Sequence, residues 1–116
     1  MKPQKKYYVL LVVPLLAFTS SAASFDCRQA LLPDEQTICA IPQLSELDVE
    51  LYVKYQFIKG MVSMGIQGEL DDSQHKWLQS RHQCEADIKC LEIHYHHRIK
   101  ALDGIYQAFR KPVPLR

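Results

Sequence analysis

Two kinds of apolar pattern divide the 116-residue chain. Residues 7–18 (YYVLLVVPLLAF) form one dense apolar run. From residue 44 onward, apolar side chains instead recur every three or four positions, the spacing that lines one face of a helix. Leu44, Leu47, Leu51, Tyr55, Ile58 and Val62 make the first stripe; Leu91, Tyr95, Ile99, Leu102, Tyr106 and Phe109 make the second. Prolines set the boundaries. Pro33, followed by Asp34 and Glu35, opens a short helix, because Pro suits the first turn and acidic groups complement the dipole there. It ends by Ile41, since Pro42 disfavours helical geometry in the residue before it. A long helix follows from Pro42, weakened at Gly60, and Gly65-Ile-Gln-Gly68 reads as the turn after it. A third helix over 71–83 has a thin apolar face, chiefly Trp77 and Leu78. The fourth begins near Asp87 and stops before Pro112. Residues 24–32 read as extended. With short connections and no alternating strand pattern, the chain predicts an all-α fold: a small antiparallel bundle of three main helices plus a short N-terminal one.

The first apolar run belongs to a different object. Lys2, Lys5 and Lys6 precede it and the small residues Thr19, Ser20, Ser21, Ala22 and Ala23 follow it, which is the layout of a secretory signal peptide. Cleavage is expected after Ala23, with Ser21 and Ala23 at the −3 and −1 positions; after Ala22 is the alternative. The run is 12 residues long and interrupted by Pro14, whereas a membrane span needs about 20 apolar residues. Ser24-Phe25-Asp26 before Cys27 does not resemble a lipidation signal. The expected organisation is a signal peptide over 1–23, a helical domain over 24–110 and a loose tail over 111–116. It implies a periplasmic or secreted protein that is free of the membrane after cleavage.

Removing the leader changes the charge. The full chain carries +1, with 14 basic and 13 acidic residues. The mature part loses three lysines and becomes formally −2. The charges are interspersed, so neither a nucleic-acid footprint nor a polybasic membrane patch is present.

Export also frames the chemistry of Cys27, Cys39, Cys84 and Cys90, all in the mature part. An even number of cysteines in a small exported domain points to disulfides. Three connectivities are open. Cys27–Cys39 with Cys84–Cys90 is favoured, because each pair is local and lies beside a helix end. Neither CxxC nor a finger-type Cys/His spacing supports zinc.

Three charges fall on apolar stripes. Asp48 lies between Leu44 and Leu51, Arg81 follows Trp77 and Leu78, and Arg98 lies between Tyr95 and Leu102. A charge facing a bundle interior is costly unless paired. Asp48 is therefore expected within ion-pair distance of Arg81 or Arg98, as a buried structural network. His94 and His97 are one turn apart, with His96 between them, but no metalloprotease or finger motif accompanies them. They read as surface histidines, and no metal or other cofactor is expected. No nucleophile elbow, phosphate loop or dinucleotide fingerprint is present, and bonded cysteines provide no thiolate. The expectation is a protein without catalytic activity.

The ordered combination of these features resembles a known family. Phe25-Asp26-Cys27, Ile38-Cys39 and Pro42-x-Leu44-Ser45-x-Leu47-Asp48-x-x-Leu51-x-x-x-Tyr55 match the first half of the LprI-type lysozyme-inhibitor domain. Gln74-x-x-Trp77-Leu78-x-x-Arg81-x-x-Cys84, Cys90-Leu91 and Tyr95-x-x-Arg98-Ile99-x-x-Leu102 match the second. The resemblance covers about residues 25–105. It implies an exported helical bacterial domain and lysozyme as a partner; a binder of that kind is expected to plug the glycan cleft near the enzyme's two carboxylates with the 65–68 loop or the third helix. It supplies no inhibitory residues. The alternative is a cell-envelope interaction or structural module that leaves lysozyme alone. A mature charge of −2 suits a basic lysozyme.

Overall fold

The structure, a computed structural model, describes residues 3, 4, 6–12 and 22–110. The end of the leader run and the tail over 111–116 lie outside the described residues. Four α-helices follow one another: α1 (Pro33–Ala40), α2 (Pro42–Met61), α3 (Met64–His82) and α4 (Ile88–Arg110). No strand occurs among the described residues, and no described helix is long and apolar enough to cross a membrane. The fold is all-α and carries the two disulfides Cys27–Cys39 and Cys84–Cys90.

The prolines act where steric rules place them. Ile41 is extended between α1 and α2, and Pro33 and Pro42 each open a helix at its first turn, where no N–H is needed. The Ser45 hydroxyl donates to the Ile38 carbonyl at 2.6 Å and fastens the corner between them. Residues 24–32 are not wholly extended: Asp26 caps a 3-10 turn over Cys27–Gln29, and Cys27 is then bonded to α1.

The turn expected at Gly65–Gly68 is helix. The chain breaks earlier, at Val62 and Ser63, both extended, and α3 starts seven residues ahead of its expected position. Each glycine costs a helix roughly 1 kcal/mol relative to alanine. Two contacts offset that here. The Gln67 amide donates to the Lys59 and Val62 carbonyls, covering open acceptors at the end of α2, and Leu70 is buried. At the other end of α3, Glu85 sits in the left-handed region at φ 51°. Asp87 then caps α4 by accepting from the Cys90 N–H at 3.0 Å.

Contacts between helices fix the topology. Asp48 of α2 faces Arg81 of α3 while Tyr55 faces Asp71, so these helices are antiparallel. Trp77 of α3 meets His94 of α4 while Gln74 meets Arg98, so these are antiparallel too. It follows that α2 and α4 run parallel, with Lys54 beside Asp103 and Phe57 beside Tyr106. The core joins Ile38, Leu44, Leu51 and Ile58 to Leu70, Trp77, Leu91, Tyr95, Ile99 and Leu102. Leu47, Tyr55 and Tyr106 pack at its edge, and Phe109, expected inside, is exposed near the end of α4.

Candidate functional site

The most concentrated chemistry lies inside one end of the bundle, where every helix supplies a polar side chain. Asp34 comes from α1, Asp48 from α2, Arg81 and His82 from α3, and Tyr95 from α4. Asp34, Asp48, Arg81 and Tyr95 are each at most 4% exposed. Arg81 Nε donates to Asp34 Oδ2 at 2.9 Å, and Arg81 Nη1 donates to the Tyr95 hydroxyl at 3.2 Å. That hydroxyl donates in turn to Asp48 Oδ1 at 2.8 Å. Arg81 Nη1 lies 3.8 Å from the same Asp48 oxygen, an ion contact longer than a hydrogen bond. His82 Nδ1 reaches Asp34 Oδ2 at 2.7 Å, and the Ser24 backbone N–H donates to Asp48 Oδ2 at 2.7 Å. Asp34 Oδ1 is buried without a hydrogen-bond partner among the described residues. Aromatic rings complete the enclosure: Phe25 and Trp77 each lie 5.8 Å from the Arg81 guanidinium, and Trp77 packs edge-on against Tyr95.

The electrostatics follow from this geometry. Burial pushes the Asp34 carboxyl up, but hydrogen bonds from His82 and Arg81 outweigh it and hold the group below its ordinary value. Burial works against the Arg81 charge as well, yet Tyr95 and Asp34 keep the guanidinium above its usual range. Burial and the Asp48 charge push the Tyr95 phenol far up, so it stays a neutral donor.

Of the three charges expected together, the structure brings Asp48 to Arg81 and leaves Arg98 elsewhere. Arg98 Nε donates to Gln74 Oε1 at 2.9 Å and Nη2 to the Ser73 hydroxyl at 2.8 Å. Burial lowers its pKa. The spacing argument also missed Asp34 and His82. A second, shallower cluster ties Tyr55 to Asp71 by a hydrogen bond and Lys59 to Asp71 at 2.9 Å. Burial, helped by Asp71, pushes the Tyr55 phenol up to about 12.

The histidines divide by face. His96 is exposed, 3.9 Å from Glu92, and His97 is exposed too. His94 is half-buried, with Nδ1 2.9 Å from the Cys90 carbonyl and Nε2 3.0 Å from the Ser80 hydroxyl. Nδ1 therefore donates and Nε2 accepts. Cys84, Cys90 and His94 cluster closely enough to share a metal, but the two sulfurs are bonded to each other and offer no thiolate pair.

A groove of about 360 Å³ opens over the node, lined by Phe25, Glu35, Tyr52, Tyr55, Gln74 and Trp77 among others. Its floor, Asp48 and Arg81, is already engaged by internal partners. Compared with protein-family models, with curated proteins and with solved structures, the chain finds no match.

Proposed function

We propose that this is an exported bacterial protein that acts by binding rather than catalysis, with lysozyme as its leading partner class. The supporting observation is where the polar residues of the resemblance lie. Asp48, Trp77, Arg81 and Tyr95 hold one another inside the bundle, so recognition falls to the outer surface. Two disulfides are compatible with an oxidising, extracytoplasmic compartment. The 65–68 segment is helical and offers no plug-shaped loop, which leaves the helix faces as the contact surface. The protein exported from its full-length gene should slow clearing of a cell-wall suspension by lysozyme, more strongly at low salt.

A second reading, an envelope interaction module, draws on one feature. Val49, Val53 and Phe57 repeat every four residues along α2 and are 39%, 58% and 60% exposed. Such a stripe suits a protein partner other than lysozyme. Absence of slowing at large molar excess, against several lysozyme types, favours this module.

A further inference from the structure

We propose that cleavage after Ala23 turns the Ser24 nitrogen into a structural cation, an α-ammonium that ion-pairs with Asp48 and completes the charge of the buried node. The inference rests on the exported reading above. In the described chain Ser24 N is an amide nitrogen 2.7 Å from Asp48 Oδ2. Its partner carboxylate is almost wholly buried. Asp48 Oδ1 is taken by the Tyr95 hydroxyl and faces Arg81. Among the described residues Arg81 is the only guanidinium or ammonium within 4 Å of either Asp34 or Asp48, and its Nε belongs to Asp34. Two buried carboxylates thus share one permanent cation, beside the His82 imidazole.

Hydrolysis of the Ala23–Ser24 bond changes that balance at one atom. Water adds its hydroxyl to the Ala23 carbonyl carbon, which leaves as a carboxylate with the leader. The Ser24 nitrogen gains protons to become –NH₃⁺, since a free α-amine has a pKa of about 7.7–8.0. The new ammonium need not search for its partner. Cys27, three residues on, is bonded to Cys39 of α1, and the Phe25 ring lies against Arg81, so the segment stays in place without the leader. The 2.7 Å spacing already suits a charge-assisted N–H···O contact. The titratable and charged groups around the nitrogen are Glu35 of α1, Asp48, Tyr52 and Tyr55 of α2, Arg81 and His82 of α3, and Tyr95 of α4. Asp48 is the one in contact, so the amine should hold its proton more tightly than a free N-terminus.

The test uses protein exported from the full-length gene. Mass spectrometry of the released chain comes first, and Ser24 must be its first residue. A start elsewhere overturns both the cleavage expectation and this inference. With Ser24 in place, the inference stands or falls on a second precursor carrying one glycine inserted between Ala23 and Ser24. Its released chain begins one residue earlier and returns the Ser24 nitrogen to an amide. The expected result is a Tm lower by about 5 °C or more for the glycine-bearing chain, with that difference erased when both carry Asp48→Asn. Equal melting of the two chains with Asp48 intact overturns the ion pair while leaving export untouched. Should Asp48→Asn fail to fold, the α-amine is titrated in the natural product by pH-dependent acylation. A midpoint raised by about one unit or more supports the pair, and one at or below the ordinary value overturns it.

Discussion

Arg81 and Arg98 are buried to nearly the same depth, 4% and 8% exposed, and point into the same bundle, yet their surroundings differ in kind. Arg81 meets two carboxylates, a phenol and two aromatic faces. Arg98 meets the neutral oxygens of Gln74 and Ser73. Depth of burial therefore does not decide whether a guanidinium needs an acid. The neighbours do: Arg81 faces Asp34 and Asp48, two carboxylates that are themselves buried and need a cation. Arg98 faces Gln74 and Ser73, half-buried neutral groups that need no counter-charge.

The largest expected effect breaks the first site. Arg81→Met removes the guanidinium from Asp34 and Asp48 together, and stranding buried charge typically costs about 3–5 kcal/mol. Thermal melting followed by circular dichroism should show a Tm drop of at least about 12 °C. A loss under about 1 kcal/mol would mean that the node is not held by its charges.

Acid probes the same site without mutation. Asp34 titrates below its ordinary value, so its folded form binds a proton less readily than the unfolded chain does. Its stabilisation is complete above the unfolded value of about 3.9 and is lost as pH falls through the lower folded value. Denaturant midpoints should hold steady down to about pH 4 and then decline. Asp34→Asn should flatten that acid limb, whereas Arg98→Met should leave its shape alone. An unchanged limb in Asp34→Asn would assign acid sensitivity to other carboxylates.

Arg98→Met should cost less, about 1–2 kcal/mol, since it loses hydrogen bonds to neutral acceptors that can turn to water. A loss as large as that of Arg81→Met would erase the contrast. The smallest effect comes from building an acid where there is none. Gln74→Glu places a carboxylate against Arg98 and should gain about 0.5–1 kcal/mol at neutral pH. The gain should vanish below about pH 4 as the new group protonates. Urea midpoints at pH 7 and pH 3.5 read both, and destabilisation at pH 7 would show a pocket tuned for a neutral partner.

The same two arginines show how far the sequence could be read. Periodicity assigned both to an inward face, and that much of the geometry holds. A helical wheel gives a face but not a level. Arg98 lies three residues past Tyr95, about 4.5 Å along the axis, and in antiparallel α3 that descent leads to Gln74 rather than Arg81. Asp34 was hidden for another reason. At the second position of an eight-residue helix it already had a sufficient explanation as a dipole partner, and so short a helix has no stripe to mark its inner face. Gly65 and Gly68 misled because composition alone favours a turn, while the Gln67 clasp that supports the helix depends on where α2 ends. The disulfide pairing was legible from proximity in sequence beside helix ends, which the fold preserves.

Ala23 is only 7% exposed and belongs to the core, packed with its neighbours rather than standing clear of the bundle. A peptidase needs a strand of substrate drawn out into its cleft, and a closed bundle withholds this one. If the proposed leader is cut at that bond, the cut has a deadline: it must happen while the chain is still emerging and unstructured. A precursor that folds first would carry its leader indefinitely, so any mutation that speeds folding ahead of export would be expected to accumulate unprocessed protein.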